Sequence, residues 1–146
     1  MSIEENKAAV RALIEGPGLG VAKGTHEHFR DHLAPDVVLH TPLLSAEEDH
    51  IDAMHAEVLA VAAPFSNLEV AIDWMVAEGD MVVVHLIFHG DHTETLEHPT
   101  GDISPSGGAV EFGVMAAYRV RDGKIANSWY YTNLHDAVRT AAAANV

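Results

Sequence analysis

Three side chains pair a proton-handling or polarising group with the end of an apolar run. His92 closes Met81 to His92, where residues split by parity: Val82, Val84, Leu86, Phe88, Gly90 and His92 fall on one face, and Met81, Val83, His85, Ile87, His89 and Asp91 on the other. The first face is apolar until its last member, the pattern of a hydrophobic cavity with one titratable group at its mouth. His40 follows the run Val37-Val38-Leu39, and Asn133 follows Trp129 to Thr132. A neutral imidazole at His92, helped by His40, can move a proton α to a carbonyl while Asn133 and a tyrosine hydroxyl polarise the oxygen. Each has a structural alternative: a strand-end histidine can bond a loop carbonyl, and an asparagine between strand and helix can cap the helix.

Other chemistries find less support. The chain has no cysteine, which excludes disulfides, thiolate zinc sites and a cysteine nucleophile. Its eleven histidines invite a metal, but His26 and His28 diverge on a helix, while His85 and His89 stand about 13 Å apart at ordinary strand rise. No H-E-x-x-H spacing is present and no serine sits in a G-x-S-x-G elbow, so neither a metal nor a serine hydrolase is expected. The segment Gly16 to Gly20 lacks the Lys-Ser or Lys-Thr pair and the preceding strand of a phosphate loop, and reads as a connector.

The elements that must position these groups follow from periodicity. Ile3, Lys7 by its stem, Val10, Leu13 and Ile14 recur as an amphipathic helix that Gly16-Pro17-Gly18 stops. Thr25 can cap a short helix through Leu33, before a strand at Val37 to His40. Ser45 and Glu48 form a capping box ahead of a helix whose stripe is Ile51, Met54, His55, Val58, Leu59 and Ala62. After Pro64 the period becomes two. Leu68, Val70, Ile72, Trp74 and Val76 alternate with Asn67, Glu69, Ala71, Asp73 and Met75, Glu78-Gly79-Asp80 turns the chain into the His92 strand, and His98 to Gly108 is irregular. Val110, Phe112, Val114, Ala116, Tyr118 and Val120 share a face, and Asp122-Gly123 marks a hairpin. On the final strand Ile125, Asn127, Trp129 and Tyr131 are expected together, and an alanine-rich helix spans Leu134 to Ala144. Pooling the inward faces gives Trp74, Phe88, Phe112, Tyr118, Trp129 and Tyr131, with His55 from the helix stripe. They suit a flat, partly oxygenated ligand, or simply fill a small core.

At 146 residues the chain is expected to be one domain, residues 1–146, of α+β class: a curved antiparallel sheet with N-terminal helices packed in its concave face. Eight basic against 22 acidic residues give a formal charge of −14, which opposes nucleic acid and anionic membranes as partners. The N-terminus lacks the apolar core of a secretion signal and no run is long enough to span a bilayer, so a cytoplasmic location is expected.

Several segments together resemble the SnoaL-like polyketide cyclase family: Leu33-Ala34-Pro35-Asp36-Val37-Val38 with His40-Thr41-Pro42; Ala77-Glu78-Gly79-Asp80 into Val82-Val83-Val84; Gly90-Asp91-His92-Thr93; Pro99-Thr100-Gly101; and Tyr118 to Ile125 followed by Trp129. They cover roughly residues 5 to 140 in order. The resemblance implies a cone-shaped barrel of the ketosteroid-isomerase and nuclear-transport-factor-2 type, a cofactor-free hydrophobic pocket, often a homodimer, and intramolecular aldol closure driven by a carboxylate with histidine help. Where the family pattern has an acid four residues after the tryptophan, this chain has Asn133, and where some members carry a histidine it has Ala116. An asparagine cannot abstract a proton, so the family mechanism does not transfer directly.

Two functional readings follow, beside a purely structural dimerisation module as a third. One is a cofactor-independent acid–base enzyme performing aldol cyclisation or isomerisation on a small hydrophobic, cyclic carbonyl compound. The other is a binding or carrier protein that kept the pocket and lost the acid. An apolar patch at Val83, Ile87, Gly113, Met115, Ala117 and Ala126 on the outer sheet face implies a homodimer in either case.

Overall fold

A computed structural model describes residues 2–15, 26–40, 50–97 and 101–144. The connector at Gly16 to Gly20, the Thr25 cap, the Ser45–Glu48 box and His98 to Thr100 lie outside the described residues. Among the described residues four helices and five strands follow one another as α1 (Ile3–Glu15), α2 (His26–His32), β1 (Leu33–Leu39), α3 (His50–Ala62), β2 (Phe65–Glu78), β3 (Met81–His92), β4 (Ala109–Arg121), β5 (Lys124–Thr132) and α4 (Leu134–Ala144). The strands form one curved, unclosed sheet in the order β1-β5-β4-β3-β2. The expected α+β class is therefore observed, with one refinement: β1 joins β5 in parallel, so the sheet is mixed rather than wholly antiparallel.

Local chemistry explains the frame. Ser2 Oγ accepts from the Glu5 backbone N–H while donating to its carboxylate, a capping box that starts α1. Val10, Leu13 and Ile14 of α1 are buried, and Asn6, on the same side, donates through its amide to the Gly79 carbonyl. Asp122 and Gly123 both have positive φ, 51° and 79°, the left-handed pair of a two-residue hairpin. Gly79, with φ 58°, serves the β2–β3 turn. The core joins this helix face to Phe29, Leu33, Val82, Val84, Leu86, Phe112, Ile125 and Val138.

Strict alternation on β3 is observed: Val82 through His92 face in at every second position. On two other strands it breaks. Pairing of β2 with β3 shifts register between Ile72 and Trp74, so Met75 and Ala77 turn inward and Trp74 and Val76 become exposed. Pairing of β4 with β5 shifts between Arg119 and Val120, leaving one extra residue on β5. Ala126, Ser128 and Tyr130 thus take the inner side, and Trp129 and Tyr131 the outer one. The inward placement expected for Trp74, Trp129 and Tyr131, and the outward one for Ala126, are corrected on this ground: one inserted residue exchanges the faces of everything beyond it.

Candidate functional site

An apolar cavity lies between α3 and the inner sheet face. Met54, Val58, Val61 and Ala62 of α3 form one wall, and Leu39, Leu68, Leu86, Phe88, Val114, Ala116 and Tyr118 form the rest. Phe88 is anchored by a parallel stack on Phe112, with ring centroids 5.0 Å apart. Beside the Tyr118 hydroxyl the polar groups are few: His40, Glu57, Ser128 and Tyr130.

His40 follows β1, Glu57 lies on α3, and Ser128 and Tyr130 reach the inner face through the β5 bulge. Ser128 lies opposite Tyr118, and Tyr130 opposite Ala116, so both β5 side chains share the inner face of β4. Tyr130 donates its hydroxyl to Glu57 Oε1 at 2.8 Å, joining β5 to α3 across 73 positions of sequence. Burial, then the Glu57 hydrogen bond and charge, push the Tyr130 phenol well above its ordinary range, so it stays a proton donor throughout the physiological pH range. Burial alone does the same for Tyr118. His40, just beyond β1, contacts Asn127 Oδ1 through Nε2 at 2.9 Å.

The expected site residues separate into groups. Phe88, Tyr118 and His40 line the cavity. Phe112 supports it from behind through the Phe88 stack. His92 points inward, as parity requires, but is fully enclosed beside Phe65, and neither ring nitrogen has a hydrogen-bond partner among the described residues. It is not among the cavity's lining residues. His55 rests on Phe29, with ring centroids 5.6 Å apart, on the α2 side of α3. Asn133 sits at the start of α4, where its backbone carbonyl accepts from Ala137, yet its side-chain oxygen accepts from the Gly113 N–H at 2.9 Å instead of capping the helix. Thr132 Oγ1 takes the Leu134 N–H in its place. Trp74 and Tyr131 stand on the outer face, Trp74 against His85. Among the described residues no group of three or more His, Asp or Glu side chains converges as a metal site would require.

Sequence reasoning missed Glu57, Ser128 and Tyr130. The available signal for Glu57 was its place in the Met54–Val58–Val61 stripe, where a carboxylate interrupts apolar spacing. For Tyr130 there was none, because aromatic residues occupy both parities from Trp129 to Tyr131.

The family model for SnoaL-like polyketide cyclases matches residues 7–140. No curated protein matches the sequence. Among solved structures, a candidate SnoaL-like polyketide cyclase from Jannaschia sp. CCS1 is 28% identical, with TM-score 0.73 over 99% of this chain and 96% of that one. IdmH from Streptomyces antibioticus, a candidate polyketide cyclase, is 23% identical with TM-score 0.73, covering 93% of this chain and 97% of its own. TsrD from Streptomyces laurentii is 20% identical with TM-score 0.73, covering 94% and 97%. The last two likenesses speak to fold alone.

Proposed function

From the chain's membership of the SnoaL-like polyketide cyclase family, we propose that it binds a small hydrophobic, cyclic carbonyl compound between α3 and the sheet and moves a proton α to the carbonyl. The reaction would be an aldol cyclisation or an isomerisation, with no cofactor. One observation carries this reading: an almost wholly apolar cavity gathers its polar groups, His40, Glu57, Ser128 and Tyr130, in one small set. That composition orients an oxygenated ring while burying its hydrocarbon. His40 lies at the cavity edge with its ring stacked on Trp129 and Nε2 bonded to Asn127 Oδ1, so the Ser128 and Tyr118 hydroxyls are the groups suited to polarise the carbonyl.

A carrier reading draws on a different observation. Asn133 accepts from the Gly113 backbone amide and His92 is enclosed, and neither lines the cavity. Thermal shift with a panel of cyclic ketones tests what both readings share, since a ligand of the native state raises the melting temperature. Hydrogen exchange at the ligand's α carbon then separates enzyme from carrier.

The homodimer belongs to the same proposal. Val83, Ile87, Met115 and Ala117 are joined on the outer face by Trp74, Val76 and Tyr131, which the bulges bring there. The resulting apolar surface suits a second copy of the chain. No described helix is long and apolar enough to cross a membrane, and we place the protein in the cytoplasm.

A further inference from the structure

We propose that Glu57 is the proton acceptor of the cavity, that Tyr130 holds its carboxylate in position, and that the site takes a neutral, enolisable ketone. The inference rests on the pocket reading above and adds the group that moves the proton.

Glu57 is the sole carboxylate among the described residues lining the cavity, and it stands among Met54, Val58, Val61 and Ala62. Glu57 is half-buried in an otherwise apolar helix face and has one designated donor, the Tyr130 hydroxyl at 2.8 Å, in a hydrogen bond that solvent still reaches. That bond occupies Oε1. The second carboxylate oxygen remains for a proton, while the phenol fixes the rotamer of a side chain with three free torsions. The other basic lining residue, His40, holds its ring against the outer-face residues Trp129 and Asn127, and Ser128 and Tyr118 are hydroxyls. The fixed negative charge, in a chain of formal charge −14, disfavours carboxylate ligands and favours neutral ones.

The step balances without any co-reactant. Glu57 Oε2 takes the α hydrogen as a proton, the C–H electron pair becomes the enolate double bond, and the carbonyl oxygen takes the charge. A protonated carboxyl is a weaker acceptor, so the Tyr130 hydroxyl is released to donate to that oxygen. Return of a proton from Glu57 to carbon completes an exchange with solvent.

The test uses the full chain and 2-tetralone, a neutral ketone with acidic α hydrogens, in D2O, with exchange followed by proton NMR and binding by chemical-shift titration. Glu57→Gln keeps the shape and still accepts from Tyr130, so a clasp between α3 and β5 survives while the base is lost. The expected result is wild-type exchange above buffer, a loss of about a hundredfold or more in Glu57→Gln, the usual scale for a general base, and unchanged binding. Tyr130→Phe should lower kcat about tenfold, the scale of one hydrogen bond, with KM nearly constant. Full exchange in Glu57→Gln overturns the assignment, as does wild-type binding without exchange, which leaves the pocket reading standing as a carrier. Tyr130→Phe that loses stability but keeps kcat removes the positioning role alone. If the wild type binds no neutral ketone of the panel but binds a carboxylate-bearing one, the neutral-ketone class is overturned; if it binds neither, the pocket reading itself falls.

Discussion

The imidazole of His40 lies flat on the indole of Trp129, with ring centroids 4.2 Å apart and planes within 4° of parallel. Arg119 approaches the same indole, its guanidinium carbon 5.9 Å from the ring centroid. Trp129 is therefore no cavity wall; it is the outer support of a residue at the cavity edge.

Trp129→Ala should cost at least the 0.5–1.5 kcal/mol or so of an aromatic pair beyond its area burial, and should loosen any ketone that contacts His40. Trp129→Phe should recover most of both. Denaturant titration and ligand titration of the two variants check this, and equal losses in both would remove the stacking explanation.

His92 buries two ring nitrogens with no partner among the described residues. Replacing such a group by an apolar residue of similar volume is often neutral or stabilising, because the desolvation cost disappears with it. His92→Leu should therefore keep or raise the melting temperature and leave exchange of a bound ketone intact. A loss of about 2 kcal/mol or more in this variant means that the ring has a partner and a structural duty.

Phe88 lines the site and stacks on Phe112 behind it. Phe88→Ala should destabilise by about 3–5 kcal/mol, the range for removing a buried phenylalanine, and enlarge the cavity. A bulkier ketone should then gain affinity relative to 2-tetralone. Calorimetric unfolding and paired titrations test the two halves separately.

His32 packs against His28, with ring centroids 4.6 Å apart. Burial first, then His28 and Lys124, depress its pKa below the ordinary imidazole value, and Asp31 opposes them only in part. The unfolded chain then binds more protons in the window just below about pH 6.5, so this contribution to stability is full above that pH and falls on acidification. His32→Gln should flatten that part of the stability–pH curve. An unchanged slope between pH 7 and 5.5 would argue against it.

Light scattering at micromolar protein and pH 8 should give twice the chain mass, and Met115→Glu on the outer face should halve it. A wild-type monomer sinks the dimer proposal.

The alternating run Met81 to His92, the Asp122-Gly123 turn and the α3 stripe, except for Leu59, which is exposed, were legible because each signal is local: side-chain period, left-handed turn residues and helix spacing are written in neighbouring positions. They sufficed for the α+β class, the strand limits to within a few residues, and Phe88 and Tyr118 in the cavity wall. Which way β5 faces was not local. Its register is fixed by pairing with β4, and the shift between Arg119 and Val120 exchanges Trp129 and Tyr131 for Ser128 and Tyr130. A second shift does the same to Trp74. Glu57 could enter the site only once α3 had packed across the sheet, since its partner lies 73 residues away. Periodicity determines which residues share a face, but where a strand slips by one residue against its neighbour, only the hydrogen-bonded sheet decides which face is the inside.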